Sequence, residues 1–343
     1  MLKIAKERLN ELYAKINESM GLFIPIKKGG EVNYHVWGEG KEVSLETLKT
    51  VKSPKNAFFP QTENMMKFKP DGKTLEVVDV REENKKPFVV FGVKACDYKA
   101  IEVLDKVFLA EPVDTYYQLR RDAMTVVTLA CARPEESCFC KVFDIDAAAP
   151  QGDVTTWLDD NYLYWQANTE KGEKLTALVK DLFQEGGEAE VATQQKTTRE
   201  IIEKLPYSAL DLSRFTPENL NELFEAKEWE EMSEACLGCG TCTFVCPTCQ
   251  CFDIRDFKTN EGVLRYRCWD SCMYSDFTLM AHGNSRTTQM QRFRQRFMHK
   301  LVYFPSQNDG MYSCVGCGRC VNKCPQNLNI VKVIKTLGGK KND

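Results

Sequence analysis

Several common classes of protein are excluded by what this chain of 343 residues has little of. No run approaches the ~18 consecutive apolar residues that a membrane-spanning helix needs. Residues 1–15 carry Lys3, Lys6, Glu7, Arg8 and Glu11, so they lack the uncharged apolar core of a secretory signal. Both absences predict a cytoplasmic chain with no membrane insertion. The net charge is only −3, and so weak an overall field invites neither nucleic acid nor a membrane surface. Gly29-Gly30, Gly38, Gly40 and Gly186-Gly187 form neither G-x-G-x-x-G nor a Walker loop, so the chain shows no nucleotide fingerprint of its own. Histidine is scarce, with three residues. His35 and His282 have no ligand spacing and read as structural, whereas His299 lies in a basic run. No nucleophile triad and no defensible pair of catalytic carboxylates is visible, so the chain reads as non-catalytic.

Cysteine is the exception to this scarcity, with 16 residues. In a secreted protein so many would imply disulfides, but in a cytoplasmic one they imply metal or redox chemistry. The hydrophobic content of 43% and charged content of 28% are those of an ordinary globular protein.

Along the chain, residues 1–20 read as an amphipathic helix, with Leu2, Leu9, Leu12 and Ile16 on one face. The runs Phe88-Val89-Val90-Phe91-Gly92-Val93 and Thr125-Val126-Val127-Thr128-Leu129-Ala130 have the character of buried strands, with a helix over 98–109 between them. Such a unit favours a parallel pair, and each strand is followed by a cysteine, Cys96 or Cys131. Helices are predicted over 170–185 and 216–232, the second opened by Thr216 and Pro217. The polar stretch 184–198 reads as a loop or linker. The expected class is α+β. An N-terminal α/β domain over 1–190 has room for a further iron–sulfur site. A largely helical domain over 191–343 contains a split ferredoxin-like segment for two [4Fe–4S] clusters.

Two copies of one motif carry that segment. Cys236-Leu-Gly-Cys239-Gly-Thr-Cys242-Thr-Phe-Val-Cys246-Pro247 and Cys314-Val-Gly-Cys317-Gly-Arg-Cys320-Val-Asn-Lys-Cys324-Pro325 both read C-x2-C-x2-C-x3-C-P. Three cysteines on a tight loop wrap three corners of one cubane, and the fourth reaches the other cluster. Cluster one is therefore assigned to Cys236, Cys239, Cys242 and Cys324. Cluster two is assigned to Cys314, Cys317, Cys320 and Cys246. Structural zinc needs two pairs of ligands and explains neither the third cysteine nor the proline. The insert over 247–313 contains Arg286, Arg292, Arg294, Arg296, His299 and Lys300. Their cations read as offsets to cluster charge rather than as a nucleic-acid surface.

Eight cysteines remain. Cys96, Cys131, Cys138 and Cys140 lie in the first half, and Cys249, Cys251, Cys268 and Cys272 lie between the motifs. Three readings stay open: buried filler, a vicinal dithiol, or one or two further [4Fe–4S] clusters. Convergence of Cys96, Cys131, Cys138 and Cys140 follows if the two strands are parallel neighbours, since their C-terminal ends then lie side by side. Cys249, Cys251 and Cys272 form another candidate site whose fourth ligand is unclear.

The segments Phe91-Gly-Val-Lys-Ala-Cys96-Asp97, Asp114 to Arg121, Cys138-Phe-Cys140, Cys246-Pro-Thr-Cys249-Gln-Cys251-Phe and Trp269-Asp-Ser-Cys272 complete a pattern with the two motifs and the basic run. The chain resembles the beta subunit of sulfhydrogenases and the corresponding 4Fe–4S dicluster subunit of anaerobic sulfite reductase. Cys268 is not part of that pattern. The resemblance implies an iron–sulfur electron-transfer subunit of an anaerobic hetero-oligomeric oxidoreductase. Its partners would be a flavin subunit that handles NAD(P)H and a terminal catalytic redox subunit such as a hydrogenase or sulfite reductase. The competing function is a self-sufficient flavin-dependent iron–sulfur oxidoreductase, which the missing nucleotide fingerprint disfavours.

Overall fold

The computed structural model describes residues 1–81 and 85–339. Its largest element is a mixed eight-stranded sheet. The strand order is Gln184–Glu185, Leu2–Ala5, Tyr162–Ala167, Val154–Leu158, Met124–Leu129, Phe88–Val93, Gly21–Lys28, Glu31–Val36. The central pairings, from Val154–Leu158 across to Gly21–Lys28, are parallel. The expected parallel pair is present, with Phe88 opposite Met124 and Val90 opposite Val126.

All six residues of Phe88–Val93 are buried, and alternate side chains leave opposite faces of a strand. Val89 and Phe91 pack with Leu12, Tyr13 and Ile16 of the helix Leu9–Ser19 and with Leu175 and Val179 of the helix Glu170–Val179. Phe88, Val90 and Val93 face Ile101, Leu104 and Phe108 of the helix Ala95–Phe108. Helices thus cover both faces, which is why the strand reads as a continuous apolar run. Each such side chain contributes about 1.5–3 kcal/mol by leaving water.

A second, four-stranded antiparallel sheet runs in the order Phe252–Thr259, Gly262–Trp269, Thr62–Asp71, Thr74–Asp79. It joins residues from both sides of position 190. The later part of the chain therefore carries a strand hairpin among its helices. Arg267, buried in this sheet, donates through Nε to Glu63 at 2.7 Å and ties the two segments together.

Four local expectations differ from the structure, and the first is the helix over 170–185, which ends at Val179 with a 3-10 turn to Leu182, so that Gln184–Glu185 is an edge strand. Residues 1–20 are not one helix: Leu2–Ala5 is a strand paired with Tyr162–Ala167, and the helix starts at Leu9. Ile4 buries as a strand residue, and Leu2 belongs with it rather than with the 3.6-residue period of Leu9, Leu12 and Ile16. The polar stretch over 184–198 contains most of a helix, Glu188–Glu203, opened by Gly186 and Gly187 with φ of 122° and 106°. Only Val191, Thr198 and Ile202 of that helix are buried, so its sequence is mostly solvent-facing. The segment 216–232 is two short helices, Leu220–Phe224 and Glu228–Ser233. The break lets Trp229 bury and donate through Nε1 to the Leu223 carbonyl at 2.7 Å.

Candidate metal centre

The two repeats adopt the same backbone. Gly238 and Gly240 have φ of 63° and 71°, and Gly316 and Gly318 have φ of 59° and 75°. In each repeat a short helix follows the second of these glycines, Thr241–Phe244 in one and Arg319–Lys323 in the other, and the two helices pack together. This contact carries the last cysteine of each repeat toward the other. One cavity is lined by Cys236, Cys239, Cys242 and Cys324, together with Met273, Phe293, Phe297 and Leu328. Its charged residue is Arg296, whose Nε lies 3.1 Å from Cys242 Sγ. Cys239 is exposed, the neighbouring Leu237 is 64% exposed, and the Tyr274 hydroxyl donates to the Cys239 carbonyl.

Cys314, Cys317 and Cys320 form a second group, and the field of Cys246 acts on all three. Burial pushes the Cys314 thiol up to about 12. Lys300 stands over this group and donates to Thr248 Oγ1 at 2.7 Å and the Ser313 carbonyl at 2.8 Å.

Cys96, Cys131, Cys138 and Cys140 line one further cavity with Leu48, Pro134 and Ala147. Lys94-Ala95-Cys96 follows the strand Phe88–Val93, and Cys131 follows Met124–Leu129 at the same sheet edge. Cys131 N donates to the Ala147 carbonyl at 2.9 Å. Lys49, Lys94 and Arg319 are the charged residues of the lining, and no carboxylate lines it. Burial raises Cys131 to about 11 and Cys140 to about 12. Such thiols ionise when a metal takes the proton's place.

This cavity adjoins the second repeat directly. Phe139 N donates to the Gly316 carbonyl at 2.9 Å, and Cys317 lines the same cavity. A Cβ on Gly316 would stand 2.4 Å from Phe139, and one on Gly318 would stand 2.4 Å from the Ser137 carbonyl. Only glycine permits this approach. Arg319, two residues past Cys317, forks onto Asp97, the residue after Cys96, at 2.6 and 2.7 Å.

Cys249, Cys251 and Cys272 stand together near Cys246. The neighbouring Cys272 thiol holds Cys251 below its ordinary range, and the Cys249 thiol does the same to Cys246. Cys268 lies apart, on the strand Gly262–Trp269 opposite Asp253. Of the basic run, Arg296 and Lys300 turn inward to sulfur. Arg294 stacks on Phe224 at 3.5 Å, and Arg292 donates to the Met273 and Arg286 carbonyls. Burial, then Lys300 and Arg296, pushes His299 down to about 4, and its ring packs edge-on to Phe304.

The residues present fit iron–sulfur clusters rather than a single ion. Among the described residues no group of three or more His, Cys, Asp or Glu side chains closes tightly enough on one metal ion. Two of the thiol groups instead ring cavities, and the groups are faced by cations. Sequence reasoning missed Lys49, Lys55 and Lys94, which have no local signal because the fold brings them to the thiols from distant segments. Arg319 could have been found, since it is a cation set inside a C-x2-C step, between Cys317 and Cys320.

A family model described as a 4Fe-4S dicluster domain matches residues 235–328. The sulfhydrogenase 2 subunit beta of Pyrococcus furiosus is 32% identical over 340 residues, an alignment covering 97% of each chain. No solved structure matches.

Proposed function

The chain belongs to the sulfhydrogenase beta-subunit family, and from that premise we propose that it relays electrons between a flavin subunit that handles NAD(P)H and a terminal catalytic redox subunit. It is an iron–sulfur electron-transfer subunit with two [4Fe–4S] clusters. In this reading Cys236, Cys239, Cys242 and Cys324 hold one cluster, and Cys246, Cys314, Cys317 and Cys320 hold the other. A third is held by Cys96, Cys131, Cys138 and Cys140. The clusters supply reversible one-electron storage.

The observation that carries the reading is contiguity. The exposed Cys239 marks one end, the second repeat lies in the middle, and the N-terminal thiol cavity shares Gly316 and Cys317 with it. The side chains between these groups keep water out and place cations against sulfur: Arg296 on the first group, Lys300 on the second, and Lys49, Lys94 and Arg319 on the third. A cation held in a dry site favours the more negative, reduced state. Leu237 and Tyr274 beside Cys239 offer an apolar contact for one partner.

The test uses the anaerobically purified chain and its copurified complex. The chain alone should be bleached by dithionite and not by NADH or NADPH, and should contain no stoichiometric flavin. In the complex, NAD(P)H should bleach the same band. Flavin in the isolated chain, with NADH bleaching its visible band, would establish the self-sufficient alternative. Cys138→Ser/Cys140→Ser should lose about four iron per chain relative to the parent. Unchanged iron in that variant would remove the third site.

A further inference from the structure

Four cysteines belong to none of the quartets above, and three of them, Cys249, Cys251 and Cys272, stand together. Cys249 and Cys251 follow the first repeat, whereas Cys272 is brought back by a hairpin. Its strands, Phe252–Thr259 and Gly262–Trp269, place Phe252 opposite Trp269, and Asp270 N donates to the Cys251 carbonyl at 2.9 Å. The base of the hairpin thereby sets Cys272 against Cys251 within hydrogen-bond reach, and the field of Cys249 acts on Cys272.

An independent observation concerns charge. Lys55, Arg296 and Lys300 are exposed by only 3%, 2% and 3%. Among the described residues none of the three has a carboxylate within ion-pair distance. Lys55 spends its donors on the carbonyls of Cys246 at 3.2 Å and Cys249 at 2.7 Å, and its ammonium sits 3.8 Å from the Trp269 ring centre. Arg296 Nη1 lies 3.8 Å from Cys249 Sγ. Buried cations are kept only where negative charge faces them. Sulfur is the available source here, and the thiols facing Lys55 are Cys249, Cys246 and Cys251. The two ferredoxin quartets account for Arg296 at Cys242 and for Lys300, which faces Cys246 first. They leave Lys55 answered chiefly by the group around Cys249.

We propose that Cys249, Cys251 and Cys272 hold a further iron–sulfur cluster beside the second quartet, with one corner that no cysteine ligates. Cys246 belongs to the second quartet, and Cys268 lies apart on its strand, so a fourth thiol is not at hand. The inference rests on reading the chain as a cluster protein, but not on the N-terminal third site. Lys55, from the first half of the chain, is the counter-charge of this site.

Iron and acid-labile sulfide are measured per chain on anaerobically purified full-length protein. Three quartets account for about 12 iron, and this site adds about three or four. Cys251→Ser/Cys272→Ser should lose that increment and leave the reduced EPR signals of the two ferredoxin quartets in place. Cys268→Ser should lose none. Iron content equal to the parent's in a folded Cys251→Ser/Cys272→Ser variant overturns the proposal. If that variant does not fold, anaerobic alkylation of the unaltered protein decides. Protection of Cys249, Cys251 and Cys272 from iodoacetamide until the iron is chelated supports the site, and ready modification of all three in the iron-loaded protein overturns it. A redox dithiol at Cys251 and Cys272 would form a disulfide with no change in iron, which also overturns it. Loss in Cys138→Ser/Cys140→Ser alone sinks this site and spares the N-terminal one, and loss in Cys251→Ser/Cys272→Ser alone does the reverse.

Discussion

Arg319→Met should be among the most damaging single substitutions outside the cysteines. Arg319 and Asp97 form a two-pronged ion pair at 2.6 and 2.7 Å, with side chains 3% and 1% exposed. Arg319 Nε also donates to the Thr50 carbonyl at 3.0 Å. Methionine keeps most of the volume and removes the cation, so Asp97 is left as a buried carboxylate without its partner. Breaking a buried pair from one side costs about 3–5 kcal/mol. At roughly 2 °C per kcal/mol for a chain of this size, the apparent melting temperature should fall by about 6–10 °C. The assay is anaerobic melting of the holoprotein at one fixed scan rate, read by far-UV circular dichroism and by the visible cluster absorbance together. Both should shift, because Arg319 stands between Cys317 and Cys320 while Asp97 follows Cys96. Asp97→Asn/Arg319→Met removes both charges and should recover at least half of the loss. A fall of less than about 2 °C in Arg319→Met, or a double variant no better than the single, would refute the reasoning.

The proposed crossed ligation predicts that Cys324→Ala damages the cluster assigned to Cys236, Cys239 and Cys242, whereas Cys314→Ala damages the second cluster. EPR of the two variants must therefore show different signals lost, and loss of the same signal rejects the assignment. Arg296→Gln removes a buried cation from beside Cys242 Sγ and should lower the potential of the first cluster by about 170 mV, taking a unit charge about 4 Å away, an effective dielectric near 20 and one electron. Potentiometric titration checks it, and an unchanged or raised potential contradicts it. Leu237→Glu sets a like charge beside the exposed Cys239. It should slow electron exchange with the subunit that docks there while leaving iron content and melting temperature unchanged, and equal rates in stopped-flow would show that the port lies elsewhere.

The three-cysteine loop of each repeat was legible because it is local in sequence: fixed spacing and positive-φ glycines force the loop whatever surrounds it. Cys96 and Cys131 were legible for a different reason. A parallel pair of strands must bring its C-terminal ends to one edge, and the strands themselves are apolar enough to be recognised. The companions of the thiols were not legible. Lys49, Lys55 and Lys94 are ordinary lysines in sequence, and nothing within several residues of them announces burial. Their placement depends on tertiary packing, for example of Lys55 between the Cys246–Cys249 carbonyls and the Trp269 ring. The helix Glu188–Glu203 was missed because only three of its positions are buried, too few to raise a period above its polar background. The split of 216–232 turns on one indole hydrogen bond, which no propensity anticipates.

The distribution of charge explains why both halves of the chain are needed at one seam. Cubanes held by four thiolates are anions, and anions crowded into a dry interior repel one another. Apart from Arg319, the counter-charges come from elements that the repeats do not contain. Arg296 and Lys300 come from one continuous helical segment in the insert, spaced one turn apart so that both meet sulfur. The segment changes to a π-helix at His299–Tyr303, a device common at functional sites. Lys55 and Lys49 come from the loop region ahead of the four-stranded sheet, and Lys94 comes from the end of a central strand. Lys55 is held there by the Cys246 and Cys249 carbonyls and by the ring of Trp269, which ends the hairpin strand paired with Thr62–Asp71. Charge thus reaches one seam from both halves of the chain, Lys49, Lys55 and Lys94 from the first and Arg296, Lys300 and Arg319 from the second.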